Sequence, residues 1–151
     1  MSAAFVHLRL HTEYSLLDSV VRVPELMDAV AAACMPAVAL TDQGNLFAMI
    51  KFYRAALARG VQPIIGADLL VREPEEPSRP ARLTLLCQNL AGYRNLSRLV
   101  SRAYLEGQGS GAQPQLERAW LDADSSTGLI ALSGAAEGDI GRALLRGHAA
   151  Q

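Results

Sequence analysis

Cysteine is scarce: Cys34 and Cys87 are the two in 151 residues, and no CxxC spacing joins them. That rules against a disulfide framework or a cysteine-ligated zinc site and fits a reducing cytoplasm. An excess of either charge is also lacking, with 14 basic and 15 acidic side chains for a net charge of −1. A polybasic tail and strong nonspecific attraction to nucleic acid or anionic lipid are thereby excluded, so any nucleic-acid contact is expected to be local. No apolar run approaches the roughly 20 residues that span a bilayer. Residues 1–11 carry no charged start followed by a long apolar stretch, which reads as neither exported nor membrane-embedded. There is no internal repeat, GxxxxGK[ST] phosphate loop, G-x-S-x-G elbow or G-x-G-x-x-G after a strand.

What is present is apolar residue in quantity, 50% of the chain. That suffices for one domain with a core and is too short for a multidomain enzyme. The pattern alternates between short extended runs and helical periods. Residues 5–10 alternate as a half-buried strand should. Pro24 suits a first helical turn, and Leu26, Val30, Ala33 and Cys34 share a face until Pro36. The continuous apolar run 36–41 predicts a strand buried on both faces. A helix is expected over 46–59, with Leu46, Met49, Ile50, Tyr53 and Leu57 on its apolar face and Gly60 ending it. Strands are expected at 61–65 and 68–71, followed by an exposed proline-rich loop over 73–80.

Another strand spans 83–87, and Asn89 is placed to cap a helix over 90–106. Residues 107–114 read as a flexible connection, with Gly107, Gly109 and Gly111 supplying the flexibility. A short helix at 116–121, a strand at 129–132 and a helix at 140–146 complete the order β-α-β-α-β-β-α-α-β-α. That order argues for an α/β fold with a mostly parallel sheet or barrel. Residues 147–151 add no closing element, and the expectation is a truncated chain with Leu144 and Leu145 lacking a partner surface.

Active residues of α/β folds cluster where strands end. His11, Asp42 and Asp68 are metal-ligand types at such places, and parallel neighbouring strands would let them converge. An ordinary reading stands beside this one: Asp42 caps the helix that follows, His11 is hydrogen-bonded in a loop, and Asp68 begins a turn. Arg94, Arg98 and Arg102 recur every four residues, opposite Leu96, Leu99 and Ala103. The stripe suits phosphate contacts, a solvated face or a surface for another domain. Tyr93 and Tyr104, which flank it, read as packing residues.

Several segments carry a more specific likeness: 5–15 (FVHLRLHTEYS), 40–47 (LTDQGNLF), 51–53 (KFY), 63–68 (PIIGAD), 89–96 (NLAGYRNL), 132–134 (LSG) and 138–147 (GDIGRALLRG). In this order they resemble the start of the alpha-subunit family of bacterial replicative DNA polymerase III, over nearly the whole chain. That region of the family is a PHP (polymerase and histidinol phosphatase) domain, and the resemblance implies a distorted βα barrel, incomplete here, with residues 1–151 its N-terminal part. The polymerase palm, fingers, thumb and later domains lie outside these residues.

Metal-competent PHP domains carry an H-x-H pair, a D-H-G turn and a G-x-E segment. Their clustered cations lower the pKa of a bound water and neutralise phosphate oxygens. Here the first reads Arg9-Leu10-His11, the second Asp42-Gln43-Gly44 and the third Gly66-Ala67-Asp68, while Arg82 stands where such relatives tend to carry histidine. The resemblance therefore implies a vestigial site. His11, Asp42 and Asp68 remain, Arg9, Gln43 and Arg82 replace ligands, and the arginines are expected to pair with Asp42 and Asp68 without metal. His7 shares the expected strand face of Arg9 and His11.

No catalytic residue or cofactor is expected in this segment. Mg2+ would serve the polymerising domains of a longer protein, and Mn2+ or Zn2+ would enter only if the site were active. The implied role is a scaffold in DNA replication that supports the polymerase module and docks the proofreading exonuclease subunit. Sliding clamp, clamp loader and DNA would be met through regions outside this chain. The rival reading is a metal-dependent phosphoesterase or 3′-5′ exonuclease using His11, Asp42 and Asp68. A third is a free-standing interaction domain with a cooperative melt.

Overall fold

A computed structural model describes residues 5–73, 76, 78–108 and 113–147. It is a mixed α/β structure in two compact units, Met1–Ala67 and Asp68–Gln151.

In the first unit, a 3-10 segment Glu13–Asp18 precedes helix α1 (Val23–Ala32), strand β1 (Ala37–Leu40), helix α2 (Met49–Ala58) and the start of strand β2 (Gln62–Val71). Pro24 lies in the first turn of α1, where its missing N–H has no intrahelical partner to lose. The helix ends before Cys34, which adopts a left-handed φ of 52°. Cys34 and Ala33 are therefore exposed, where the periodicity placed them on the apolar face; Val23, Met27 and Val30 are the residues buried. β1 pairs parallel with β2 from Ala37 opposite Gln62 to Leu40 opposite Ile65. The core gathers Val23, Met27, Val38, Leu40, Phe52 and Ala56.

Three expectations change here. The strand expected at 5–10 is reduced to one parallel bridge, His7 to Val38, with Thr41 N donating to Leu10 O at 2.9 Å. Leu8 is exposed, while Val6 and Leu10 are half-buried and Leu10 packs against the core. Residues 61–65 and 68–71 belong to one ten-residue strand. On α2 the buried residues are Phe52 and Ala56, whereas Ile50, Tyr53 and Leu57, expected to face the core, are exposed.

In the second unit the end of β2 pairs parallel with β4 (Gln115–Leu116), Leu70 opposite Gln115. Strand β3 (Ala81–Cys87) pairs antiparallel with β5 (Leu129–Ser133), so the sheet is mixed rather than mostly parallel. Helix α3 (Leu90–Glu106) is capped by Asn89, whose side chain accepts from Gly92 N at 3.0 Å. It buries Leu96, Leu99 and Ala103 as its period predicts. Gly92 lets α3 approach closely, since a Cβ there would lie 1.9 Å from Gly128 O.

The helix expected at 116–121 is instead β4 and a 3-10 turn, Arg118–Trp120. Gly107 is a packing glycine rather than a flexible one, because a Cβ would lie 1.9 Å from Gln115 O; Gly109 and Gly111 fall outside the described residues. Of the proline-rich loop, Ser78 and Arg79 are exposed, while residues 74, 75 and 77 also fall outside the described set. Helix α4 (Asp139–Leu145) leaves Leu144 and Leu145 exposed. No helix among the described residues is long and apolar enough to cross a membrane.

Candidate functional site

Asp42 follows β1 and is fully buried. A buried carboxylate must find donors, and the chain supplies them from the turn 12–15. Its Oδ1 accepts from Thr12 N at 2.6 Å and from Ser15 Oγ at 2.7 Å, and its Oδ2 accepts from Thr12 Oγ1 at 2.8 Å. Ser15 Oγ in turn accepts from Gln43 N at 3.0 Å. Thr12 also N-caps the 3-10 segment by accepting from Tyr14 N at 3.2 Å. Asp42 therefore fastens the turn after residue 11 to the end of β1. It does not cap α2, whose N-cap is Ala48 without a side-chain bond. No arginine reaches it among the described residues, and hydroxyl and backbone groups donate to it instead; Arg9 is exposed.

His11 is the hydrogen-bonded loop residue of the ordinary reading, its Nδ1 against Asp18 Oδ2. Gln43 is half-buried. His7 is exposed, with its ring edge-on to Phe5.

Asp68 does not begin a turn; it lies inside β2, with 1% of its side chain exposed. Its Oδ1 accepts from Thr84 Oγ1 on β3, and Arg82 NH1 lies 3.4 Å from its Oδ2. The same guanidinium reaches Glu137 Oε2 through Nε at 3.0 Å. Gly134 makes room for this strand, because a Cβ would lie 2.4 Å from Arg82 O. A fixed cation thus balances the buried carboxylate, as expected for Arg82.

These donor sets do not fit a resident metal. Asp42 accepts from three hydrogen-bonding groups of the turn 12–15, Asp68 faces a guanidinium, and His11 is turned onto Asp18. Among the described residues no group of three or more His, Cys, Asp or Glu side chains is placed to hold a metal ion. Thr12, Ser15 and Thr84 are the residues that sequence reasoning missed. The T-x-x-S spacing of Thr12 and Ser15, at the start of the 3-10 segment Glu13–Asp18, was the local signal for those two, and Thr84 had none.

On α3, Arg94 and Arg98 are exposed, and no ion-pair partner for either occurs among the described residues. Arg102 pairs with Glu106 at 2.8 Å and lies over the Trp120 ring at 4.2 Å from its centroid. Arg98, Arg102 and Trp120 help line a shallow groove of about 270 Å³. Asp122 and Asp124 line it too, which gives it both signs of charge. Tyr93 is half-buried, and Tyr104 is 40% exposed.

Comparison with known proteins places this geometry. Residues 7–151 match the PHP domain. The chain is 51% identical over 151 residues to DNA polymerase III subunit alpha of Pseudomonas aeruginosa, all of this chain and 13% of that protein. It is 47% identical over 147 residues to the same-named subunit of Vibrio cholerae, 97% of this chain and 12% of that protein. The Escherichia coli K12 subunit is 44% identical over 146 residues, again 97% and 12%. The chain thus spans about one eighth of the length of these relatives.

Among solved structures, an amidohydrolase from Chromobacterium violaceum superposes with a TM-score of 0.54 at 22% identity, covering 66% of this chain and 33% of that one. A protein from Bifidobacterium adolescentis described as a metal-dependent phosphoesterase gives 0.51 at 13% identity, covering 68% and 33%. At such identities these two structures bear on the fold alone.

Proposed function

The chain belongs to the PHP domain family, and from that membership we propose that it is the N-terminal segment of a replicative DNA polymerase III alpha subunit, acting in DNA replication as a scaffold. The observation that carries the reading is the match to alpha subunits along 97–100% of this chain at 44–51% identity, beside which an arginine at Asp68 and hydroxyl groups at Asp42 support a structural role. Residues 1–151 form the N-terminal part of the PHP domain, and the polymerising domains follow outside it.

His11, Asp42 and Asp68 are remnants of a metal cluster, and Arg9, Gln43 and Arg82 stand at replaced ligand positions. The segment holds no metal of its own; Mg2+ belongs to the polymerising domains. Its side chains do structural work. Asp42 ties the turn 12–15 to β1, and Arg82 neutralises Asp68 between β2 and β3. The partners are the remaining alpha-subunit domains and the proofreading exonuclease subunit, with clamp, clamp loader and DNA met elsewhere in the protein, in the cytoplasm. Arg94, Arg98 and Arg102 offer contacts to phosphate or to another domain. The phosphoesterase reading is disfavoured, because it needs ligands at positions 9, 43 and 82 that this chain fills with arginine and glutamine.

The test is a chimera in which this chain replaces the matching 151 residues of the Pseudomonas aeruginosa subunit. The expected result is primer extension and exonuclease co-purification at near-parental levels, both lost when the segment is deleted. A chimera that is soluble but loses both contradicts the proposal, as does hydrolysis of a phosphodiester by the isolated chain.

A further inference from the structure

Helix α4 is fastened more than it is packed. It has 7 residues, too few to persist as a helix alone, and none of them is buried. Ile140, Leu144 and Leu145 are 59, 59 and 76% exposed. The ties that hold it come from arginine. Arg118, in the 3-10 turn before β5, meets Asp139 Oδ2 at 2.8 Å and Glu73 Oε1 at 2.7 Å. Arg142 donates to the carbonyls of Arg79 and Pro80 at 2.8 and 2.9 Å, and Arg146 meets Glu76 Oε1 at 2.7 Å. The first turn, the middle and the end of α4 are thus each joined, directly or through Arg118, to the connection between β2 and β3.

These ties and the core yield to different conditions. Arg118 and Arg146 are 56 and 49% exposed, and exposed ion pairs are weak and screened by salt. Helix α3 is held instead by buried Leu96, Leu99 and Ala103, whose contacts salt does not screen. Two further features favour release of α4. Arg142 Nε is buried with no hydrogen-bond partner among the described residues, a cost that opening to water removes. Ala135, which starts the turn leading into α4, has a φ of 47°, a left-handed backbone that a residue with a Cβ holds only under constraint.

We propose that residues 135–147 are a strap, latched by Arg118, Arg142 and Arg146, that opens as one unit while β3, β5 and α3 stay folded. Opening carries Glu137 away from the Arg82 guanidinium, which it meets at 3.0 Å, and so uncovers the cation that balances Asp68. The strap is a conformational device over that buried pair. It goes beyond the scaffold reading and depends on contacts within this chain alone, so its failure leaves that reading and its chimera test untouched.

The experiment is hydrogen–deuterium exchange of the whole chain at about 0.05 M and about 0.5 M NaCl, resolved into peptides by mass spectrometry. Peptides over 139–147 should be protected at low salt and exchange roughly threefold or more faster at high salt, relative to an unstructured peptide in the same buffer. Those over 81–87 and 96–103 should keep their rates. Arg118→Gln, which unties Asp139 and Glu73, should speed exchange over 139–147 at low salt with the circular dichroism melt unchanged. Phenylglyoxal labelling of Arg82 should rise with salt in step with that exchange. If Arg118→Gln unfolds, the wild-type salt series decides alone, because it alters no side chain. The proposal is overturned by an α4 unprotected at low salt, by an α4 that shares the rate and salt response of 81–87, or by an unchanged rate in a folded Arg118→Gln. Constant Arg82 labelling while α4 opens overturns it as well.

Discussion

The Arg82 guanidinium stands 3.4 Å from Asp68 Oδ2, on a carboxylate that is 1% exposed, and its Nε reaches Glu137 at 3.0 Å. Removing one partner of a buried pair costs more than the pair contributes, because the other charge is stranded. Arg82→Ala is expected to destabilise the chain by about 2–3 kcal/mol, less than a fully buried pair since Arg82 is itself partly exposed. Arg82→Met combined with Asp68→Leu should recover most of that loss. Urea denaturation of both variants checks this, and a double variant less stable than Arg82→Ala would refute the pairing as the reason.

Asp42 gives a second prediction. Its loss strands Thr12 N and two hydroxyls in a buried site. Asp42→Ala should cost about 2–4 kcal/mol, and Ser15→Ala about 1 kcal/mol. Equal midpoints for wild type and Asp42→Ala in the same titration would show that the cluster is not structural.

Close approach of α3 to Gly128 gives a third. A Cβ at Gly92 would lie 1.9 Å from Gly128 O, a backbone atom that cannot swing aside. Gly92→Ala, ordinarily a favourable change in a helix, is expected to destabilise by about 1–3 kcal/mol. A thermal melt at or above the wild-type midpoint contradicts the packing described.

The two thiols should separate kinetically. Burial pushes the Cys87 thiol up to about 11, so it is neutral at pH 8, whereas Cys34 is exposed on its turn. Iodoacetamide at pH 8 should modify Cys34 first. The Cys87 rate should climb about tenfold per pH unit until the pH nears that value, because the thiolate is the nucleophile. Equal rates at pH 8, read by mass spectrometry of the peptides, would be the contrary result.

How much of this was legible follows from what each residue's neighbours in sequence can report. α3 was readable because its cap, Asn89, and its buried positions, Leu96, Leu99 and Ala103, are local and periodic. β1 was readable as an unbroken apolar run. α2 was misread because Met49, Ile50, Tyr53 and Leu57 have a helical period as good as that of Phe52 and Ala56, and periodicity does not say which of two apolar faces the core takes.

Asp42 and Asp68 stood out as acids at apolar strand ends, and an arginine partner was expected by chemistry, but the pairing of Arg82 with Asp68 comes from the fold. Thr12 and Ser15 could not be assigned to Asp42, because contacts separated by 30 and 27 residues depend on the fold bringing the chain back on itself. The left-handed Cys34 was hidden for a different reason: nothing in its residue type favours that conformation.

The central claim is that the carboxylates of this PHP domain are held by protein donors rather than by ions. Its most direct test is calorimetric titration of the folded, chelator-treated chain with Mn2+ and with Zn2+, followed by elemental analysis after dialysis. The account predicts no stoichiometric binding and an unchanged melting temperature with either ion. One or more ions retained per chain, lost on Asp68→Asn and accompanied by a raised melting temperature, would contradict it.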